Sequence, residues 1–183
     1  MSSPLLELKK ISVSFEGFLA LRDLDLVLNK GDLRAVIGPN GAGKTTFLDV
    51  ITGKVLPTKG DVIFKEKSLL GQKEFRIARK GIGRKFQSPR IFENLSVQEN
   101  LALSVSRPKT PFSLLIDNLK VKHLEQIHHL MSIVNLQSKA NIRAGALSHG
   151  QKQWLEIAML VGQDPDLLLC LLYTSDAADE HTG

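Results

Sequence analysis

The 183-residue sequence has one cysteine, one tryptophan and one tyrosine, and aromatic residues make up only 5% of it. With Cys170 alone no intramolecular disulfide can form, so the fold must rest on packing, and a reducing compartment suits it. Histidines are few, and His123 and His128 stand five apart, a spacing that does not bring two metal ligands to one helical face. No Ser-His-Asp set or paired carboxylates stand out. Long apolar runs are also missing: Leu167 to Leu172 falls far short of the roughly 20 residues of a membrane-spanning helix. Met1 to Lys10 has no basic stretch followed by an apolar one, the mark of a secretory leader. Any membrane role is therefore expected to be peripheral. Neither charge sign dominates strongly, since 24 Lys and Arg against 19 Asp and Glu leave +5. That mild excess fits a polyphosphate ligand, an anionic membrane surface and nucleic acid equally well. What is present is ordinary globular composition, with 43% hydrophobic and 23% charged residues in a length that suits one domain.

Hydrophobic patterning divides the chain. Leu5 to Phe15 partly alternates and Leu24 to Leu28 alternates strictly before a turn at Lys30–Asp32, which predicts antiparallel strands. Leu33 to Ile37 is a short apolar run leading into the glycine-rich segment Gly38 to Gly43, and Thr45 to Thr52 is helix-compatible, so the order reads strand, loop, helix. Asp61–Phe64 and Ile82–Gln87 are further strand candidates on either side of a charged helical stretch, Glu74–Lys80. Helix formers then take over: Ser96–Ser104, Leu114–Leu136 and Ser148–Val161, the last burying Leu155, Ala158, Met159 and Trp154. Leu167 to Leu172 has the character of a parallel strand buried on both faces. The expected architecture is α/β with an antiparallel β part and an inserted helical part.

Gly38-Pro39-Asn40-Gly41-Ala42-Gly43-Lys44-Thr45 satisfies the phosphate-loop pattern in full. Glycines let consecutive backbone N–H groups converge on phosphate oxygens, and the helix that follows turns its positive dipole end toward the same anion. Lys44 is expected to bridge the β- and γ-phosphates, and Thr45 to offer its hydroxyl to Mg²⁺, with Thr46 beside it. A polyphosphate held together with Mg²⁺ is thus the ligand expected from the loop.

A second motif, Leu147-Ser148-His149-Gly150-Gln151, lies at the distance that makes the chain resemble the ATP-binding subunits of ABC transporters over residues 5 to 169. It matches their Leu-Ser-Gly-Gly-Gln signature except at His149. Taken alone, Ser148 and Gln151 read as a helix capping box. The resemblance implies more: Ser148, Gly150 and Gln151 of one subunit close over the γ-phosphate held by the loop of another, in a dimer of identical or sister subunits. Gln87, in Gly83–Gln87, looks like the family's glutamine between the two lobes, a ligand of Mg²⁺ and an orienter of the attacking water. Phe15 sits where the family places an aromatic ring against adenine. The resemblance divides residues 1–169 into an ATPase core (1–87 and 147–169) and a helical subdomain (88–146). It implies integral permease subunits as partners, a solute-binding protein indirectly, no nucleic acid, and a peripheral place on the cytoplasmic face of the inner membrane. Ile51–Gly53, Gly81–Gln87 and Ile91–Asn100 look like the ATPases of branched-chain amino acid and amide importers. Leu147–Ile157 is similar to the urea importer's ATPase in particular. A fragment without turnover and a non-transport ABC ATPase are the alternatives.

The family's magnesium-binding strand ends in Asp-Glu, whereas here Leu171 and Leu172 follow Leu167–Cys170. No leucine can hold magnesium or polarise water, and Asp179-Glu180 comes too late, so this chain is expected to be catalytically inactive. Cys170 to Glu180 resembles the read-through translation of a sequencing adapter, which marks residues 170–183 as a non-native tail on a C-terminally truncated gene.

Overall fold

The computed structural model describes residues 3–85, 90–105 and 121–171. Its N-terminal half is built on a hairpin, β1 (Leu6–Phe15) and β2 (Phe18–Leu28), with Phe15 opposite Phe18 across the Glu16-Gly17 turn. β1 pairs on its other edge with β3 (Lys59–Phe64), which turns into the short β4 (Lys67–Ser68), giving the antiparallel order β2-β1-β3-β4. Leu6, Leu8, Ile11 and Val13 of β1 and Val62 and Phe64 of β3 are buried, and α1 (Lys44–Ile51) packs Phe47, Leu48, Val50 and Ile51 into the same cluster. A short α2 (Glu74–Arg79) adds Ile77 and leads into β5 (Ile82–Lys85). β5 pairs in parallel with β6 (Leu167–Cys170), Ile82 opposite Leu167 and Lys85 opposite Cys170.

A second cluster is helical. α3 (Val97–Val105), α4 (Val121–Ile133) and α5 (His149–Gly162) bury Val97, Leu101, Ile127, Leu130, Met131, Leu155, Ala158 and Met159 against one another. The helix expected over Leu114–Leu136 puts Ile127, Leu130, Met131 and Val134 in this core, whereas Leu124 is half-buried outside it and residues 106–120 lie outside the described set. α3 starts with a capping box: Glu99 N–H donates to Ser96 Oγ at 3.2 Å and Ser96 N–H to the Glu99 carboxylate at 2.7 Å. Those bonds from Ser96, the backbone one first, hold the Glu99 carboxyl below the usual carboxylate range. A depressed carboxyl stabilises the fold above its unfolded pKa, so this cap fails as pH falls through the acidic range.

Three expectations need correction. Leu33 to Ile37 forms no strand: Leu33 and Ile37 are 96% and 93% exposed, because no described strand lies beside this run to pair with its backbone. β6 is not buried on both faces; only Leu169 is buried and Leu168 is exposed, since β5 is its one described neighbour. Trp154 is 55% exposed, because Leu155, Ala158, Met159 and Gly162 take the inward stripe of α5 and leave Trp154 off it.

The buried face of α3 also carries a polar side chain. Asn100 is fully buried, and its amide donates to the carbonyls of Phe92 (3.0 Å) and Ser96 (2.9 Å) while its oxygen accepts Phe92 N–H at 2.8 Å. It thereby holds the loop from Phe92 to Ser96 on α3. Replacing it with leucine, similar in volume, leaves Phe92 N–H without its acceptor, while the Phe92 and Ser96 carbonyls keep backbone donors at Leu95 and Asn100, and the expected loss is about 2 kcal/mol in urea unfolding of dilute protein.

Candidate functional site

The loop from Gly38 to Gly43 delivers the chain into α1 at Lys44. Gly43 is the N-cap, at φ 83°, and a Cβ there would stand 2.7 Å from the Ala20 carbonyl oxygen of β2. Only glycine combines that left-handed backbone with so close an approach to the hairpin. α1 has neither a side-chain cap nor an acidic residue in its first turn, so its leading N–H groups and positive dipole end are left to an external anion. The Lys44 ammonium stays at the loop and donates to the carbonyls of Gly38 (2.5 Å) and Pro39 (2.8 Å). Gly38, Lys44, Thr45 and Thr46 are half-buried, whereas Asn40, Gly41 and Ala42 are exposed at the rim. Cation, glycine turn and open helix terminus meet at one place, and this donor set fits the polyphosphate of ATP. The adjoining Thr45 hydroxyl fits Mg²⁺, which binds oxygen ligands together with phosphates.

The base of α1 is pinned from a direction the sequence gives no hint of. Arg84 of β5 donates to the Asp49 carboxylate at 2.5 Å and to Thr52 Oγ1 at 3.0 Å, and both ion-pair partners are largely buried. An arginine three residues before Gln87 and an aspartate inside an apolar helix form no pattern linking them. Gln87 itself, like Phe86, lies outside the described residues.

Phe15 stands at the tip of the β1–β2 hairpin and is 47% exposed, outside the core. The same hairpin meets Gly43 through Ala20 and Leu21. His128 and His129 are exposed on α4, and no metal-binding cluster exists among the described residues.

At the other motif the capping box forms as expected. Gln151 N–H donates to Ser148 Oγ at 3.4 Å, and Ser148 N–H donates to Gln151 Oε1 at 3.2 Å. The same Oε1 accepts from Lys139 Nζ at 3.0 Å, and Lys152 pairs with Glu93 at 3.0 Å. Gln153 Nε2 donates to His149 Nε2 at 2.9 Å, which makes that ring nitrogen the acceptor. Ser148, His149 and Gly150 are exposed, and a Cβ on Gly150 would meet nothing within 4 Å. Neither crowding nor a left-handed backbone within this chain requires that glycine, which costs up to about 1 kcal/mol against alanine in a helix. A buried ion pair, Lys85 with Glu156 at 3.4 Å, joins β5 to α5. Glu156 also accepts Arg90 N–H at 3.2 Å. Its place next to Leu155 on the inward stripe was the only sequence signal of its burial.

The comparisons agree with this geometry. The sequence pattern described as ABC transporter matches residues 21–170. The branched-chain amino acid transport ATP-binding protein BraF of Pseudomonas aeruginosa is 34% identical over 179 residues, spanning 92% of this chain and 69% of BraF. The methionine import ATP-binding protein MetN 1 of Enterococcus faecalis is 35% identical over 186 residues, but this chain spans only 50% of it. Among solved structures, a nucleotide-free ATP-binding cassette from an ABC transporter superposes with a TM-score of 0.70 at 29% identity, over 92% of this chain and 68% of that one. Another ABC transporter cassette in its ADP conformation gives 0.72 at 29% identity, over 91% and 68%. No described helix is long and apolar enough to cross a membrane. With its phosphate loop, its capped signature helix and these relatives, the chain belongs to the ABC transporter family, as one of its ATP-binding cassettes.

Proposed function

We propose that this chain is, or derives from, the ATP-hydrolysing subunit of an importer that moves a small amide or amino acid through integral permease subunits. The observation that carries the nucleotide role is the convergence of Lys44 with the uncapped N-terminus of α1. Lys44 and the N–H groups of Gly41 to Thr46 bind and orient the triphosphate, Thr45 holds Mg²⁺ with Gln87, and Phe15 stacks on adenine. Bound Mg²⁺ neutralises charge between the β- and γ-phosphates. The names of BraF and MetN support import of amino acids. The wording of Leu147 to Ile157 supports urea within the amide branch. The cytoplasmic face of the membrane follows from that role, with residues 1–87 and 147–169 as ATPase core and 88–146 as helical subdomain.

The signature completes the site in trans. Exposed Ser148 and open space above Gly150 leave the first turn of α5 accessible to phosphate held on another copy or a sister subunit. Ser148→Arg removes the cap and adds a bulky cation at the positive end of α5. Sedimentation velocity is expected to show that ATP-dependent self-association is lost while each chain still binds fluorescent Mg·ATP. A variant that pairs on ATP like the parent refutes the trans role.

A further inference from the structure

We infer that Lys139 is a positioning residue for the signature: its ammonium holds the Gln151 amide so that the carboxamide N–H groups face the nucleotide of a facing copy. This rests on the reading that Ser148 to Gln151 acts in trans. The supporting geometry lies wholly in described residues. Lys139 closes a 3₁₀ turn, Gln137–Lys139, whose backbone is fixed on α3, since Gln98 N–H donates to Ala140 O and Val97 N–H to Ile142 O, both at 3.0 Å. From this platform Nζ reaches Gln151 Oε1 at 3.0 Å. Together with Ser148 N–H, it engages the acceptor end of the amide twice. Gln151 keeps its two N–H groups, and with Oε1 held from two directions they can only point away from the cap.

The electrostatics argue that this arrangement serves something outside the chain. A cation at a helix N-terminus opposes the dipole, and α5 has no acidic residue in its first turn to offset it. Among the described residues Lys139 makes no ion pair. For the isolated chain a neutral side chain at 139 is the more favourable choice. An arriving triphosphate reverses the sign, because Lys139 and the dipole then attract the same anion.

Stability and association are therefore expected to respond differently to Lys139→Met in the full chain. The thermal midpoint stays level or rises, nucleotide binding by the single chain is unchanged, and ATP-dependent self-association weakens about tenfold, the scale of one charge-assisted hydrogen bond. Lys139→Arg, which keeps a donor, recovers most of the loss. In a Gln151→Ala background the loss from Lys139→Met shrinks to the part owed to charge attraction alone, since the amide it positions is gone. Hydrogen exchange gives a second reading that needs no ATP: Lys139→Met speeds exchange at the Ser148 amide and leaves Leu155 to Met159 unchanged. Normal association of Lys139→Met beside weakened Gln151→Ala overturns the role of Lys139 and leaves the trans reading standing. Normal association of Gln151→Ala and Ser148→Arg overturns the trans reading and this inference with it, as does a parent chain that shows no ATP-dependent association. Unchanged exchange at Ser148, or equal losses from Lys139→Met with and without Gln151, also overturns it.

Discussion

Lys44→Ala is expected to remove measurable Mg·ATP binding, lowering affinity at least a hundredfold in fluorescent-nucleotide titration of the 183-residue chain. Lys44 is the one side-chain cation that the loop from Gly38 to Thr45 places at the helix terminus, where it already makes two bonds to loop carbonyls. A charge-assisted contact to phosphate in a partly desolvated loop is worth roughly twice a neutral one, and the β- and γ-phosphates present several acceptors to the same ammonium. Losing it leaves only backbone donors against a multiply charged anion. Lys44→Arg keeps the charge, but its planar fork does not fit the turn around Gly38 and Pro39, so it is expected to recover little. The control is the fold itself. Lys44 is not part of either buried cluster, so far-ultraviolet circular dichroism and the unfolding midpoint stay at parent values. Binding that survives Lys44→Ala would show that nucleotide sits elsewhere on the chain.

The phosphate loop and the capped α5 were legible because both are local: a glycine pattern that fixes backbone, and a Ser-x-x-Gln box whose partners lie three residues apart. β1, the last residues of β2 and the inward stripe of α4 were legible for the same reason, since periods of 2 and 3.6 write themselves along a single element, whereas the start of β2 at Phe18 was not read. Contacts that tie elements together left no such trace. Arg84 to Asp49, Lys85 to Glu156 and Lys139 to Gln151 span 35, 71 and 12 positions by subtraction of their numbers, and no periodicity relates their partners. The burial of Asn100 had one signal in the sequence, the helical face it shares with Val97, Leu101 and Ser104. Leu33 to Ile37 failed for the opposite reason. Its composition predicts a strand, but a strand needs a neighbour's backbone, and none of the described residues supplies one.

The 183-residue chain is expected to bind Mg·ATP without turning it over, releasing phosphate no faster than its Lys44→Ala variant. β6 brings Leu167 to Cys170 alongside β5, and the next residue is Leu171, with Leu172 after it. Neither offers an oxygen to a water or to Mg²⁺, and a missing base or water-orienting group costs about 10²- to 10⁴-fold in rate on its own. A carboxylate close to the C-terminal end of this strand is Glu156, whose charge reaches the Cys170 thiol. It is no substitute, because it is buried, ion-paired with Lys85 and bonded to Arg90 N–H. Freeing it would leave Lys85 buried beside a neutral partner, a cost of several kcal/mol. The assay must be run where chains pair on ATP, since the site is completed in trans, although the exposed run from Leu33 to Ile37 and Leu168 of β6 adds self-association that does not depend on nucleotide. That background is subtracted by comparison with Lys44→Ala, and Leu33→Ser with Ile37→Ser is expected to lower it without changing ATP binding. Phosphate release that depends on Lys44 would mean that an acidic group elsewhere in the chain performs the task Leu171 and Leu172 cannot.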